Sequence, residues 1–265
     1  MDKGKIARIA GQVASSHLAR DQYQPLAQSD RTEHLSDAYQ IQAAVYEYLG
    51  QRGGYGLLGG HKIALTSPAI QELVGLSEPI YGSVFQSQIY KSGHQIDLSS
   101  YVRLGLEFEI AVEIQRDVPS ADQIYTAGTI APYVGACMPA FELIEDRGAD
   151  YAHLDAFSLI ADRCWCSGAV VGVPVTDVQA IDLSKCESQM RLNGDVVATA
   201  NTGLAMGHPF NGLAWVANFL AASGRQLRAG EIVITGSALK TYFVEPGDEV
   251  SYEVQGLGSV SVSVV

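Results

Sequence analysis

Apolar residues recur at intervals of three and four over residues 5–20, at Ile6, Ile9, Ala10, Val13, Ala14 and Leu18. That spacing predicts an amphipathic helix. A second apolar face, Ala38, Ile41, Val45, Tyr48 and Leu49, follows Ser36, a residue suited to cap a helix, and stops at Gly53-Gly54. Ser67-Pro68 pairs a cap with proline at the first helical position and predicts a third helix running towards Gly75. One apolar segment near 55–65 lies between them. The first third of the chain therefore reads as mostly helical.

The texture changes near residue 80. Short apolar or alternating runs separated by glycine-rich turns predict a β-rich body over 81–265, against a mainly helical region over 1–80. Residues 106–114 alternate strictly. Met190–Leu192 and Val196–Ala198 flank Asn193-Gly194, a strong hairpin signal. Runs near 249–255 and 259–265 form a C-terminal pair joined through Gly256-Leu257-Gly258. One helix interrupts this body, opened by Pro209, with Leu213, Val216 and Leu220 on one face, and closed by Gly224. The expected class is α+β.

Composition narrows the partners. The chain has 265 residues, with 17 Lys and Arg against 29 Asp and Glu, a net charge of −12. Nucleic acids and anionic membranes are bound through cationic side chains, so neither is expected as a partner. A small anionic substrate stays open, since it needs only a local positive site. With 47% hydrophobic and 17% charged residues the chain is globular, and the low charge fits either a large core or a surface buried between subunits. Cys137, Cys164, Cys166 and Cys186 match no zinc spacing. Met1–Lys5 leads into an amphipathic stretch with no continuous apolar stretch of the signal-peptide kind, and no apolar run reaches membrane-spanning length. The expectation is a cytoplasmic protein with reduced thiols.

The most informative stretch is Leu106–Ile114. As a strand it buries its even positions and places Glu107 and Glu109 on the other face, roughly 6.5–7 Å apart. Two carboxylates at that spacing can converge on a hard divalent cation such as Mg2+ or Mn2+. A solvated charged face has the same spacing, and Glu113 lies on it. Glu142 stands inside an apolar run, Pro139-Ala140-Phe141-Glu142-Leu143-Ile144. A carboxylate there must be paired or bound to metal, and a salt bridge to Arg147 or Lys62 is the alternative.

Several segments, in order, resemble the 2-keto-4-pentenoate hydratase group of the fumarylacetoacetate hydrolase superfamily, which also holds 4-oxalocrotonate decarboxylases. They are Gly60-His61-Lys62-Ile63-Ala64-Leu65-Thr66-Ser67, Glu78-Pro79-Ile80-Tyr81-Gly82, Glu107-Phe108-Glu109-Ile110-Ala111 and Pro139-Ala140-Phe141-Glu142. Leu213–Asn218, Thr235-Gly236-Ser237, Val244–Asp248 and Gly256-Leu257-Gly258 complete the series. The resemblance implies a helical N-terminal region followed by a mixed β-sheet roll enclosing one Mg2+ or Mn2+ held by Glu107, Glu109 and Glu142. It implies catalytic roles for Lys62, Glu142 and Asp162, and substrate contacts from Lys62, Ser67, Tyr81 and Ser237; Arg163, where the chain departs from the family, is a further candidate substrate contact that would supply positive charge from another position. It also implies a homo-oligomer, able to associate with a related lyase.

The substrate so implied is a small 2-hydroxy-2,4-dienoate or its 2-oxo-enoate tautomer, hydrated to a 4-hydroxy-2-oxo acid in the meta-cleavage breakdown of aromatic compounds. The cation's Lewis acidity would stabilise negative charge on the 2-oxygen. Alternatives are a 4-oxalocrotonate-type decarboxylase on the same site, an acylpyruvate-type C–C hydrolase, and a non-catalytic partner subunit. The chain departs from the family pattern at two places. Ala161-Asp162-Arg163-Cys164-Trp165-Cys166 has Arg163 where Asn is usual, and Gly105 stands where Arg is common. Individual residues keep second readings: Tyr81 as core, Ser67 as a helix cap, Ser237 as a turn residue, and Cys164 and Cys166 as idle buried thiols. Strand alternation turns His61 away from the side that Lys62 faces.

Overall fold

A computed structural model describes residues 1–31, 34–120 and 124–265. Helix α1 spans Lys3–Ala19 and is capped by Asp2, whose carboxylate accepts the Lys5 N–H at 2.9 Å. Helix α2 spans Leu35–Arg52 and ends on Gly53. It begins one residue before Ser36, so His34 takes the extended cap position and Ser36 lies within the first turn. Ile6, Ile9 and Ala14 of α1 pack on Ile41, Val45 and Leu49 of α2, with Phe85 beneath. The predicted faces are largely the buried ones, though Leu18 at the end of α1 is exposed and Val13 and Tyr48 are half-buried.

Strand β1, Leu58–Ala64, is followed by helix α3, Pro68–Leu73, and by strands β2 (Ile80–Phe85), β3 (Ile89–Lys91), β4 (His94–Ile96) and β5 (Leu104–Ile114). Helix α4 (Ala127–Ile130), strand β6 (Val134–Glu145), helix α5 (Ala156–Ala161) and strand β7 (Cys166–Val171) come next. Then follow β8 (Glu187–Leu192), β9 (Asp195–Asn201), α6 (Pro209–Ala222), β10 (Ile232–Ile234), β11 (Tyr242–Phe243), β12 (Glu249–Val254) and β13 (Gly258–Val264). Asn193 and Gly194 both have positive φ, 52° and 92°, the conformation of a two-residue hairpin turn with strand-matching twist.

The strands form two mixed sheets. The larger runs β2-β1-β10-β5-β6-β7-β3, with β11 also paired to β5, and the smaller runs β4-β13-β12-β8-β9. Strand β1 precedes the change in texture near residue 80, yet it pairs with both β2 and β10. One face of β5 and β6 packs on the smaller sheet, where Phe108, Phe141 and Tyr252 meet ring to ring. The larger sheet curls until β2 lies against β7, so that Val84, Cys166, Ala169, Ile232 and Ile234 form one cluster. The fold is the expected α+β arrangement, N-terminal helices followed by a mixed β-roll.

Candidate metal centre

The antiparallel ladder of β5 and β6 sets Glu107 directly opposite Glu142, and pleating brings Glu109 to the same face two residues on. One carboxylate oxygen from each of the three lies within 4.8 Å of the others. Glu109 and Glu142 are buried and Glu107 half-buried. From β1, across the curled sheet, Lys62 places Nζ 3.0 Å from Oε1 of Glu142. Gly82 is the cross-strand partner of Lys62. A Cβ there would come within 3.0 Å of Lys62 Cγ and 2.8 Å of the Arg163 carbonyl oxygen. Only glycine leaves room for the lysine to cross.

Electrostatics make this arrangement costly without a cation. Burial, with Glu142 and Glu107 adding repulsion, drives the Glu109 pKa well above the carboxylate range. Burial also pushes Glu142 up to about 7, an effect that Lys62 tempers. Burial opposes a charge on Lys62, but Glu142 and Glu107 outweigh it and hold the amine protonated. Two further groups orient the carboxylates. Thr241 Oγ1 donates to Glu107 Oε1 at 2.9 Å, and the Gly236 N–H donates to Glu109 Oε2 at 2.5 Å. Glu109 Oε1 and both Glu142 oxygens have no hydrogen bond of good geometry among the described residues. Three acids facing one point, with Glu109 Oε1 and Glu142 Oε2 unmatched and all donors oxygen, fit a hard divalent cation.

Five other expected residues lie elsewhere or are engaged otherwise. Tyr81 is corrected. It pairs with Ile63, one residue out of phase with Lys62, and so points through the opposite face of the sheet. There its hydroxyl lies 2.8 Å from His61 Nδ1 and accepts from Arg225 Nη2 at 3.1 Å. His61 turns the same way, as alternation predicted, and reaches Glu231 at 3.0 Å. Asp162 is corrected too. Both of its oxygens are taken, by His17 and by Arg147, at the end of α5, and its pKa is held low despite burial by these two partners.

Arg163 does not supply charge to the carboxylates. Its guanidinium lies 5.1 Å from the Phe85 ring centroid and donates to the Cys166 carbonyl at 2.9 Å. Ser237 ties its turn to β5, accepting the Phe108 N–H at 2.9 Å and lying 2.9 Å from the Leu239 carbonyl. Ser67 stands at the N-cap of α3, and its neighbour Thr66 sits against Gly236. Cys164 and Cys166 are free, buried thiols whose pKa burial raises. Sequence alone shows Gly236 only as part of a turn motif, and Thr241 only as half of Thr241-Tyr242, a pair that could face the site. The first acts through its backbone, which no side-chain motif reveals. The second sits next to β11, and only the pairing of β11 with β5 brings it to Glu107.

Residues 66–265 match the model of the fumarylacetoacetate (FAA) hydrolase C-terminal family, and the chain belongs to that family. It is 29% identical over 265 residues to the 2-keto-4-pentenoate hydratase of Paraburkholderia phymatum, covering 99% of this chain and 98% of the relative. It is 27% identical to the 4-oxalocrotonate decarboxylase of Pseudomonas putida, covering 100% and 98%. Among solved structures, 4-oxalocrotonate decarboxylase from Pseudomonas putida G7, complexed with magnesium and adipate, superposes with a TM-score of 0.92 at 25% identity, over 100% of this chain and 99% of that one.

Proposed function

We propose that this chain is a metal-dependent lyase that adds water to a small 2-hydroxy-2,4-dienoate, or its 2-oxo-enoate tautomer, to give a 4-hydroxy-2-oxo acid. The observation that carries the reading is the convergence of Glu107, Glu109 and Glu142 within 4.8 Å, beside the buried Lys62. The names of full-length relatives, 2-keto-4-pentenoate hydratase first among them, support the reaction class. They also support a place in aromatic catabolism. Mg2+ or Mn2+ suits the oxygen donors, and magnesium is what the superposed decarboxylase contains.

In this reading a cation held by the three glutamates supplies Lewis-acid stabilisation of negative charge on the substrate. The chain's own residues do the rest. Lys62, held protonated, attracts the substrate carboxylate and offsets the charge of the trio. Thr241 and Gly236 fix the rotamers of Glu107 and Glu109, as outer groups do at metal sites. The apolar lining of the roll, Val84, Ala169 and Ile234, limits water. Ser67, two residues beyond Leu65, whose φ is 58°, stays a substrate-contact proposal, since it is half-buried and follows Thr66, which packs against Gly236. We place the protein in the cytoplasm as a homo-oligomer able to associate with a related lyase.

A second reading is a 4-oxalocrotonate-type decarboxylase on the same carboxylates, favoured by the TM-score of 0.92. The deciding assay offers 2-hydroxypenta-2,4-dienoate and 2-oxohex-3-enedioate, each with Mg2+ or Mn2+, and follows ultraviolet absorbance together with CO2. Absorbance loss on the first without CO2 supports the hydratase. CO2 from the second supports the decarboxylase, and inertness towards both overturns the lyase reading.

A further inference from the structure

The inner face of β5 and β6 continues past the glutamates towards the start of β5. Glu107 lies opposite Glu142, and Gly105 lies opposite Ile144 one row further out. Rows on one face of a strand pair are about 6.5–7 Å apart. Beyond them, just before β5 begins, Arg103 pairs with Asp146. The inner face thus runs from acids through an apolar row to a cation. Exposure rises in the same direction. Glu109 and Glu142 are buried, Glu107 is half-buried, and the Arg103 side chain is 40% exposed. The site therefore opens at the Arg103 end.

Arg103 is held in place and left with a free edge. Asp146 is fully buried and saturated with donors. Its Oδ1 accepts from Arg103 Nε at 2.7 Å and from the Gly148 N–H at 3.0 Å, and its Oδ2 accepts from Arg103 Nη2 and from the Tyr151 hydroxyl at 3.0 Å. A guanidinium carries five N–H donors. Nη1 makes no hydrogen bond among the described residues, so its two N–H groups remain for a second acceptor. The guanidinium lies 4.6 Å from the ring centroid of Phe243, which is the cross-strand partner of Gly105. That contact draws the cation back to the level of the apolar row, one step from Glu107. A Cβ on Gly105 would come within 3.3 Å of the same ring. The Tyr151 ring flanks the guanidinium at 5.8 Å. Burial, and then the charges of Asp146 and Glu107, raise the pKa of the Tyr151 hydroxyl, so the cluster stands within electrostatic reach of the trio.

Resting on the metal-site reading above, we propose that Arg103 receives the far end of the substrate, and that this end carries a second carboxylate. With the 2-oxo acid end at the three glutamates, the carbon chain crosses Gly105 and Ile144, and the distal carboxylate accepts from Arg103 Nη1. Asp146 balances the arginine's charge but is buried beneath it, so the guanidinium is what the rim presents. The inference fixes the tail of the substrate and applies to hydration and decarboxylation alike.

The test uses calorimetry on the full-length protein, with Mg2+ and with excess chelator, to compare 2-oxohexanoate with 2-oxohexanedioate. The two acids have equal chain length and differ only in the far group. With Mg2+ the wild type should bind the dioate about tenfold more tightly, the scale of a hydrogen bond to a charged group, and Arg103→Gln should bring the two acids within about twofold of each other. Equal binding of the two acids by the wild type, or a preference that survives in Arg103→Gln, overturns the proposal and leaves the metal site standing. No Mg2+-dependent binding of either acid defeats the metal reading, and the proposal with it. If circular dichroism shows Arg103→Gln to be unfolded, Arg103→Lys decides, because an ammonium paired with Asp146 has no second edge to offer. Loss of the preference in Arg103→Lys supports the proposal, and its retention overturns it.

Discussion

Glu107 and Glu142 are direct cross-strand partners on the inner face of the roll, two like charges where a sheet ordinarily avoids them. With Glu109 also on that face, the cluster trades stability of the metal-free chain for cation affinity. Glu109→Gln is therefore expected to raise the melting temperature of chelator-treated protein, since it removes a buried carboxylate held against two others. The same variant should lose most of the Mg2+-induced stabilisation, which in the wild type reaches about 2.7 kcal/mol at a hundredfold excess over Kd. Thermal melts with and without Mg2+ check both signs. A metal-free Glu109→Gln that melts below wild type would contradict the account.

The same repulsion sets a pH dependence. Metal-free Glu142 holds its proton up to about 7, against 4.5 for a free glutamate. Between those values the folded state binds more protons than the unfolded one, so metal-free stability falls as pH rises through that window. A cation must displace that proton, so Mg2+ affinity weakens as pH falls below about 7. Urea titrations and metal titrations across pH 5–8 should therefore slope in opposite directions. Parallel slopes would show that Glu142 does not govern them.

Thr241 is expected to act only through Glu107, whose Oε1 accepts its hydroxyl at 2.9 Å. Thr241→Val keeps the volume and deletes the donor, and should weaken Mg2+ binding about 10–100-fold. Thr241→Ser should restore most of it. Gly105 belongs to the same contact, because a Cβ there would approach Thr241 Cγ2 to 2.6 Å. Gly105→Ala should therefore displace Thr241 and mimic the valine variant in calorimetry.

The shared face of Glu107 and Glu109 was legible because strand alternation is a strict period of two, and Glu142 because an acid inside an apolar run needs a partner; joining the three at one ion came from the family resemblance. The faces of α1 and α2 were legible for the equivalent reason at period 3.6. Tyr81 and Asp162 were misplaced by adjacency. Tyr81 lies one residue from Gly82, which faces the lysine, and that single step turns its ring through the sheet. Asp162 follows a buried helix end where His17 and Arg147, distant in sequence, converge on it. Ion pairs between remote segments leave no local pattern. Thr241-Tyr242 were readable as a pair that could face the site, but not as a hydroxyl on Glu107, because that depends on β11 pairing with β5.

Asp162 should accordingly behave as a structural anchor. Asp162→Ala leaves Arg147 and His17 buried without their shared acceptor, a loss of about 3–5 kcal/mol for a broken buried pair. Urea denaturation should show that loss, while the fraction that remains folded keeps the Mg2+ affinity of the wild type. Reduced metal affinity in the folded fraction would return Asp162 to the candidate site.

Lys62 is separable from the metal ligands by the sign of its effect on the cation. It carries positive charge next to Glu142, at 3.0 Å, and so opposes the cation that the trio attracts. Lys62→Met keeps much of the aliphatic stem, removes the ammonium, and leaves the three carboxylates with undiminished negative charge. Mg2+ affinity should hold or rise, whereas Glu107→Gln and Glu142→Gln should abolish it. Turnover of the dienoate should fall in all three, but only Lys62→Met should lose it with the metal still bound, and with the loss falling mainly on substrate affinity. Lys62→Arg should not rescue it, since a planar five-donor guanidinium does not replace a compact ammonium at a position only 1% exposed. Calorimetry for the metal, alongside steady-state kinetics at saturating Mg2+, separates the two roles. A Lys62→Met protein that binds Mg2+ more weakly than wild type would show the lysine to be organising the carboxylates and not receiving the substrate.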